Sequence, residues 1–312
     1  MQALTDKPLL KHNSDTLEVV RREYDLHKPG RIEESVDRLE EWVKAQPHFN
    51  KKDYSREYLE NFIIHAKGSV ERAKEYIEKL CAYKTYGPQH FVYSTKPIDM
   101  NLENIHFFPL PRLTKEHHRV YFLRNSTQKD YTLEIVLNYA IKSHFMLEYS
   151  LKHNYALGAR VILDYRKTDL SYFVTAIKYA EYRNALMPFW KGYATSFKSI
   201  HIITTSKIVD LLVAACSQFI NPKTFGRIYV HANIEELYDH IDKDLMPSDY
   251  GGKEKSTEEL NDAWNVELST DEYMEYIRDM FQATIDPLLK PMDKFDDLFT
   301  GMQGTFRSLA ID

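Results

Sequence analysis

Cysteine is scarce in this chain, and neither sign of charge dominates its composition. Two cysteines, Cys81 and Cys216, occur among 312 residues. A disulfide framework is therefore not indicated, and a reducing compartment is the default expectation. Lys and Arg number 41 against 46 Asp and Glu, for a formal net charge of −5. Because nucleic-acid binding needs a strongly basic surface, this balance favours no nucleic-acid partner.

Long apolar runs are also missing. Residues 1–20 are polar and lack the apolar segment of a secretory signal peptide. The most apolar segment, residues 206–220, is about 15 residues long, whereas crossing a bilayer takes roughly 20. These absences predict a cytoplasmic protein without a membrane-spanning helix.

Familiar catalytic motifs are absent as well. The chain contains neither G-x-S-x-G nor H-E-x-x-H. The Gly-Gly-Lys sequence at 251–253 does not complete a phosphate-binding loop, because Pro247 and Glu254 occupy positions that require Gly and Ser or Thr. The adjacent His117 and His118 would point in different directions on any regular element, which disfavours a shared metal. No acid–base pair stands out, so we expect no enzyme activity, no metal and no cofactor.

The N-terminal part of the chain carries a helical pattern. Residues 1–30 form a polar leader that we expect to be loosely held, with one short helix. Residues 31–87 predict a helical lobe, because Ile32, Val36, Leu39 and Val43 repeat at helical spacing. Ser69 is the predicted N-cap of a later helix in this lobe.

The middle of the chain alternates between strand and helix patterns. Strands are predicted at 119–123, 161–163, 200–203 and 227–231, and helices at 133–145 and 172–180. Residues 161–163 are a continuous apolar run, as expected for a strand covered on both faces. The alternation predicts an α/β domain with a mostly parallel sheet.

The apolar helix at residues 206–220 is the most informative segment. It is apolar on nearly every face apart from Asp210, and it lies between two predicted strands, where a crossover helix belongs. It therefore lies either inside a core or as a lid over an apolar cavity.

Several of these segments, in order, resemble the CRAL-TRIO lipid-binding family. The strand, apolar helix and second strand are followed by L-M-P-S-D-Y-G-G at 245–252, and G-A-R-V-I-L-D at 158–164 is similar to another family strand. Residues 42–49 and 69–74 look like the family's helical N-terminal lobe, and residues 304–312 are similar to the tail of the arthropod branch related to α-tocopherol transfer protein. The resemblance extends from about residue 31 to residue 312.

The resemblance implies an α/β CRAL-TRIO fold. A mostly parallel sheet with flanking helices would form the floor and walls of a lipid cavity, the apolar helix would be its lid, and an all-helical lobe would precede it. The implied divisions are a leader at 1–30, a helical lobe at 31–87, a lipid-binding domain at 88–262, and a C-terminal helix and tail at 263–312.

The resemblance also implies which residues bind a hydrophobic small molecule. The apolar positions carried over to this sequence are Ile141, Phe145, Val161, Leu163, Ala185, Phe189, Ile200, Ile202, Leu212, Ala215 and Phe219. Any one of them could equally be ordinary core. Such a lining, with few polar groups, suits a ligand with one polar end and a long or ringed apolar body, of the tocopherol, retinoid or carotenoid class.

A basic cleft for phosphoinositide headgroups is the last feature that the resemblance implies. The matching positions are Lys67, Lys198, Lys223 and Arg227. Arginine binds phosphate bidentately, whereas three of these four positions are lysine. Relatives also carry a run like L-R-F-L-R-A-R, whereas residues 59–67 read L-E-N-F-I-I-H-A-K and have lost the arginines. A solvated charged surface is the alternative interpretation.

Three functions remain open from the sequence. The first is an intracellular carrier that moves a lipophilic ligand between membranes, with transient peripheral membrane contact and a lid that opens there. The second is a phosphatidylinositol or phospholipid exchange protein. The third is an interaction module that keeps the fold without a ligand.

Overall fold

We describe the chain from a computed structural model. The structure describes residues 4, 6–88, 94–100, 102, 104–126, 132–176, 192–193, 195–217 and 220–290. The helices are α1 (Thr16–Glu23), α2 (Arg31–Ala45), α3 (Arg56–His65), α4 (Val70–Tyr86), α5 (Leu133–His153), α6 (Ser171–Ala176), α7 (Ile208–Cys216), α8 (Pro222–Phe225), α9 (Ile234–Leu237), α10 (Thr257–Leu268) and α11 (Asp271–Phe281). The strands are β1 (Ile105–Pro109), β2 (His118–Asn125), β3 (Gly158–Asp164), β4 (Phe197–Ile203) and β5 (Ile228–His231).

The five strands form one sheet in the order β1-β2-β3-β4-β5. Strand β1 pairs antiparallel with β2, and every other pair is parallel. This arrangement confirms the predicted α/β fold with a mostly parallel sheet, flanking helices and a preceding helical region. The register aligns Tyr121, Val161, Ile200 and Ile228 in one row across β2 to β5, so their side chains share one face of the sheet.

The N-terminal helical region follows the apolar pattern of its sequence. Ile32, Val36, Leu39 and Val43 are all buried on α2, which ends at Ala45. At the start of α4, the Ser69 side chain accepts a hydrogen bond from the backbone N–H of Arg72. This confirms the predicted N-cap, which satisfies one of the free donors at the helix end.

The leader is docked rather than loosely held, contrary to expectation. Leu10, Val20 and Leu26 are buried in the main core. The fully buried Arg119 guanidinium donates to the backbone carbonyl of Lys11, as well as to two other carbonyls and Asn154 Oδ1. A buried guanidinium requires acceptors on every side, and the leader supplies one of them.

Two segments that are far apart in the chain meet at the end of β3. The Tyr250 hydroxyl donates to the Asp164 carboxylate, and Arg166 donates to both Asp164 oxygens. Burial alone would raise the pKa of Asp164, but the hydrogen bonds from Arg166 and Tyr250 outweigh it and lower that pKa.

Glycine is required at 252, because a Cβ there would lie 1.9 Å from the Met246 carbonyl oxygen.

The C-terminal part packs back onto the sheet and α5. Trp264 of α10 is fully buried and donates to the Pro109 carbonyl of β1. Since α10 extends from residue 257 to residue 268, the predicted division between 262 and 263 falls inside a helix. Residues 291–312, including the predicted tail motif at 304–312, lie outside the described residues.

A fully buried ion pair joins the helical lobe to α5. Lys84 Nζ of α4 lies 2.7 Å from Glu148 Oε1 of α5, and both side chains have no exposed surface. Tyr58 of α3 donates to Glu148, and Lys84 also donates to the Met280 carbonyl of α11. The pair is therefore the meeting point of four helices.

Breaking this pair should destabilise the whole fold. Lys84→Met leaves the Glu148 carboxylate buried without its cation, so we expect a loss of about 3–5 kcal/mol in the free energy of unfolding. Adding Glu148→Gln removes the unpaired charge and should recover part of that loss. Urea unfolding would measure both changes. Lys44→Met, which breaks an exposed pair with Glu40, is the control and should cost at most about 1 kcal/mol. A similarly small loss for Lys84→Met would contradict this account.

Candidate functional site

The apolar helix between β4 and β5 lies on the outside of the sheet. Its described part is α7, in which only Val209 is buried, while Leu211 is 61% exposed. The sequence left two alternatives for this helix, a position inside a core or a lid over an apolar cavity. Its exposed side chains exclude the position inside a core. The helix covers apolar side chains of the sheet with one side and presents apolar side chains to solvent with the other.

An apolar cluster lies beneath this helix. It joins Leu170, Ile200, Ile202 and Val209, with partly buried side chains around them from the sheet, α6 and α7. Five of the residues predicted to bind a ligand belong to it, namely Val161, Leu163, Ile200, Ile202 and Leu212. We call this group the lid cluster.

The middle of the sheet is incompletely covered at the lid cluster. Val161 and Leu163 lie on β3, the central strand, yet both are only partly buried. Apolar side chains on a central parallel strand are normally covered on both faces. Their remaining exposed surface is therefore apolar area that a lipophilic molecule can cover.

The other predicted ligand residues are placed differently. Ile141 and Phe145 of α5 belong to the main core, and the Phe145 ring centroid lies 6.3 Å from that of Tyr273. Val161 and Leu163 pack against this core as well as the lid cluster, so they connect the two groups. Ala215 is half-buried on α7. The predictions for Ala185, Phe189 and Phe219 lie outside the described residues.

The four predicted cations come together at the start of β4 and β5. Lys198 is the second residue of β4, Arg227 directly precedes β5, and Lys223 lies on α8. Lys67 follows α3 with a left-handed backbone, φ 59°. We call Lys67, Lys198, Lys223 and Arg227 the basic cluster. Among the described residues, no carboxylate forms an ion pair with any of them.

The pKa values of Lys67 and Lys198 reflect repulsion among the cations of the basic cluster. Burial, followed by the charges of Lys223, Arg72 and Arg227, lowers the pKa of Lys67. Burial and the charge of Lys67 lower the pKa of Lys198 in the same way, while Glu23 of the leader acts in the opposite direction. Cations held close enough to repel one another form a site suited to a multiply charged anion.

A small cavity lies beside the basic cluster. It opens between the end of α3, the C-terminal part of α5 and the starts of β3 and β4, and its volume is about 20 Å³. Its lining comprises Tyr24, Ile64, His65, Tyr121, Leu147, Ser150, Leu151, Asn154, Ala156, Leu157, Gly158, Ala159, Tyr193, Thr195 and Ser196. The Lys198 stem passes over Gly158, where a Cβ would lie 2.7 Å from Lys198 Cε.

Sequence reasoning did not identify this cavity. Its residues come from segments more than 100 positions apart, and they share no spacing or motif. Of its polar members, His65 stands inside the run at 59–67 that departs from the family pattern, but that pattern gives no indication of a cavity.

The described residues show neither a metal site nor a membrane-spanning helix. No three His, Cys, Asp or Glu side chains among them are arranged to hold a metal ion. Within the same part of the chain, every helix is too short or too polar to cross a bilayer.

Comparison with known proteins finds a family resemblance in the middle of the chain. Residues 103–252, just under half of the chain, match the family model of the CRAL/TRIO domain. No curated protein matches the sequence. A similar solved structure is the crystal structure of Sfh5, which is 12% identical, with 86% of this chain and 97% of that chain covered and a TM-score of 0.37.

The repulsion within the basic cluster can be tested directly. Lys223→Gln removes a charge that acts on both Lys67 and Lys198. We therefore expect the pKa of each of these two lysines to rise toward the ordinary lysine value. NMR titration of protein labelled at the lysine side chains would measure both. Lys115→Gln, remote from these contributions, is the control. Unchanged pKa values in Lys223→Gln would mean that the cations do not converge.

Proposed function

We propose that this protein is a non-catalytic carrier that binds one small lipophilic molecule and transfers it between membranes. The ligand is of the tocopherol, retinoid or carotenoid class. The observation that carries the proposal is the lid cluster, where five predicted ligand residues from three elements meet under an apolar helix. The CRAL/TRIO domain match at 103–252 supports lipophilic-ligand binding as the general role.

The physical basis is apolar burial. Covering apolar surface on Val161, Leu163 and the ligand itself contributes about 25 cal/mol for each Å² removed from water. Such a ligand cannot leave quickly through water, so release requires the α7 lid to open where an apolar phase is present. Leu211, 61% exposed on the outer side of α7, and Val230, 44% exposed on β5, offer apolar contacts to a bilayer.

The basic cluster would bring the carrier to the membrane. Its four cations have no described acidic partner within ion-pairing distance, which leaves them available for phosphate groups. Lys67 and Lys223 are exposed, so a headgroup can reach them. We assign this cluster to phosphoinositide headgroups at a cytoplasmic membrane surface, where contact is transient and peripheral.

Phospholipid exchange is the second candidate function. It is favoured by the position of the basic cluster at the starts of β4 and β5, the two strands that also carry Ile200, Ile202 and Ile228 of the lid cluster. A phospholipid could place its phosphate at the cations and its acyl chains along the apolar face. The identity of the bound lipid decides between the two candidates.

Mass spectrometry of the organic extract from folded protein tests the carrier proposal. We expect a single prenyl-chain or retinoid-like species, stoichiometric with the chain. Phospholipid as the main species would favour exchange instead. An empty extract, together with no uptake of added retinol or α-tocopherol, would contradict both and leave a ligand-free interaction module.

The lid assignment has a matched pair of variants on α7. Leu212→Asp places a carboxylate in the lid cluster, and burying it against an apolar ligand is strongly unfavourable. We expect retinol or α-tocopherol binding to fall at least about tenfold. Leu211→Asp, one residue away on the exposed side, should leave binding within about twofold. Circular dichroism would check folding. Equal effects of the two substitutions would contradict the assignment.

The membrane role predicts a loss of vesicle binding. The double variant Lys67→Gln with Lys223→Gln removes two exposed cations, each worth about 1 kcal/mol near an anionic surface, so we expect roughly tenfold weaker binding or more. Co-sedimentation with vesicles containing phosphatidylinositol bisphosphate would measure this. Lys44→Gln with Lys96→Gln changes the net charge equally and is the control. Equal losses in both double variants would indicate a nonspecific effect of net charge.

A further inference from the structure

Three histidines meet on the face of the sheet that is turned away from the lid cluster. His201 of β4 lies between Ile200 and Ile202, and side chains alternate along a strand, so its ring points to the opposite face. There it meets His231, the last residue of β5, and His240 of the segment that follows β5. The three ring centroids lie 5.2–5.5 Å from one another. We call these three residues the histidine cluster.

The histidine cluster connects the last strand of the sheet to its neighbour. Nδ1 of His201 and Nε2 of His231 lie 2.9 Å apart, and Nε2 of His201 lies 2.9 Å from the Ser199 hydroxyl. All three of these side chains are buried. Strand β5 has only four residues and stands at the end of the sheet order, paired with β4. The bond between the two imidazoles therefore reinforces a short backbone ladder.

The bond between the two imidazoles depends on their protonation. A neutral imidazole has one N–H and one lone pair, so one ring donates and the other accepts. When both rings are protonated, every ring nitrogen carries a hydrogen and the bond cannot form. Even one added proton would place a charge in a buried site close to Arg160 of β3, whose guanidinium donates to the His240 carbonyl at 2.7 Å.

The surroundings of the histidine cluster favour neutral rings. Burial, followed by the charges of His231, His240 and Arg160, lowers the pKa of His201 to about 3. Burial and the charge of His240 also lower the pKa of His231, although two carboxylates after β5 act in the opposite direction. The other titratable or charged groups around the cluster are Tyr229, stacked on His201, Glu116 and His118, which accept from Arg160, and the carboxylates Glu236 and Asp239.

The histidine cluster consequently stabilises the end of the sheet only while its rings are neutral. In an opened state exposed to water, each histidine regains its ordinary pKa near 6.5 and takes up a proton below that pH. The closed state does not take up this proton until the pH approaches the much lower pKa of the buried ring. The population of the opened state therefore rises about tenfold for each pH unit below 6.5 and for each histidine that becomes exposed.

We propose that the histidine cluster makes the pairing of β5 with β4 sensitive to acid, so that β5 separates and the α7 lid opens as the pH falls below about 6. Helix α7 lies between β4 and β5 in the chain, and Ile228 of β5 packs against the lid cluster, so loss of β5 uncovers that cluster. Release of a ligand through the opened lid rests on the proposed carrier function. An anionic membrane surface concentrates protons for the same reason that it attracts lysines, which would couple opening to arrival at a membrane.

Hydrogen exchange followed by mass spectrometry tests the acid response on the full chain without ligand. After correction for the intrinsic exchange rate, we expect the opening constant of residues 228–231 to rise about tenfold or more between about pH 7.5 and about pH 5.5. Residues 257–268 of α10 are the reference for unfolding of the whole chain. An unchanged opening constant in β5, or constants that become equal in the two segments, would overturn the proposal.

Glutamine substitutions identify the histidines responsible. His201→Gln keeps a donor and an acceptor but does not titrate near neutral pH, so the acid-induced rise should become about tenfold smaller. His231→Gln provides the same comparison from the other ring. His27→Gln, at an exposed histidine of the leader, is the control and should leave the rise unchanged. A rise that persists undiminished in both His201→Gln and His231→Gln would contradict the role of the cluster.

A spectroscopic measurement on the unmutated chain makes the test independent of how the variants fold. In protein labelled with nitrogen-15 at histidine, the His201 ring should remain neutral in the closed state at about pH 5.5. A closed state with a protonated His201 would overturn the proposal, because the proton would then no longer favour opening.

Ligand release is measured separately, as transfer of bound retinol or α-tocopherol to phosphatidylcholine vesicles. We expect transfer to be about tenfold faster at about pH 5.5 than at about pH 7.5, and the difference to fall to about twofold or less in His201→Gln. Opening of β5 without faster transfer would overturn the coupling to the lid. Absence of binding by either lipid would overturn the carrier function, whereas the exchange measurement decides the acid response of β5 by itself.

Discussion

The buried pair between Lys84 and Glu148 is the interaction on which the rest of the structure depends. A carboxylate without exposed surface is tolerated only when a cation and further donors surround it, and Glu148 has Lys84, Tyr58 and Tyr193 as partners. Because these partners come from α4, α3 and the segment before β4, satisfying one charge fixes the helical lobe against α5. The end of α3, which carries His65, is thereby held over the C-terminal part of α5 and the starts of β3 and β4.

The sheet places two chemically different regions on one face. Near the starts of β3 and β4 lie a small cavity and the basic cluster, and further along the same strands lies the lid cluster. The two regions lie at different positions along the strands, and they stay separate because all parallel strands of a sheet begin at the same edge. Glu23 and Tyr24 of the docked leader border the polar end, so the leader contributes to the site rather than preceding it. An amphipathic lipid would meet each of its own regions in the matching part of this face.

Local sequence patterns predicted most of the elements that build the site. The continuous apolar run at 161–163 predicted β3, because a strand inside a parallel sheet needs no alternation, and the apolar residues at 200–203 predicted β4. The prediction for the helix at 206–220 was correct in its type and position over the described α7, but its burial could not be read from composition. An all-apolar helix fits a core and a lid equally well, and the outcome depends on what packs against it. The expectation of a loosely held leader was wrong. The leader is polar in its overall composition, but three of its apolar side chains are buried and its Lys11 carbonyl accepts a hydrogen bond from Arg119, and these contacts dock it.

The sequence by itself determined the order and type of the elements and the α/β class, since these depend on periodicity within short segments. The two sets of candidate residues came from the resemblance to the CRAL-TRIO family. Only the tertiary structure decided which candidates meet. It packed Val161, Leu163, Ile200 and Ile202 against α7, which carries Leu212, and it brought four cations together from β4, α8 and the segments that follow α3 and precede β5. Such contacts join residues that can be more than 100 positions apart in the chain. Their geometry follows from how helices pack across the sheet, which no local pattern encodes.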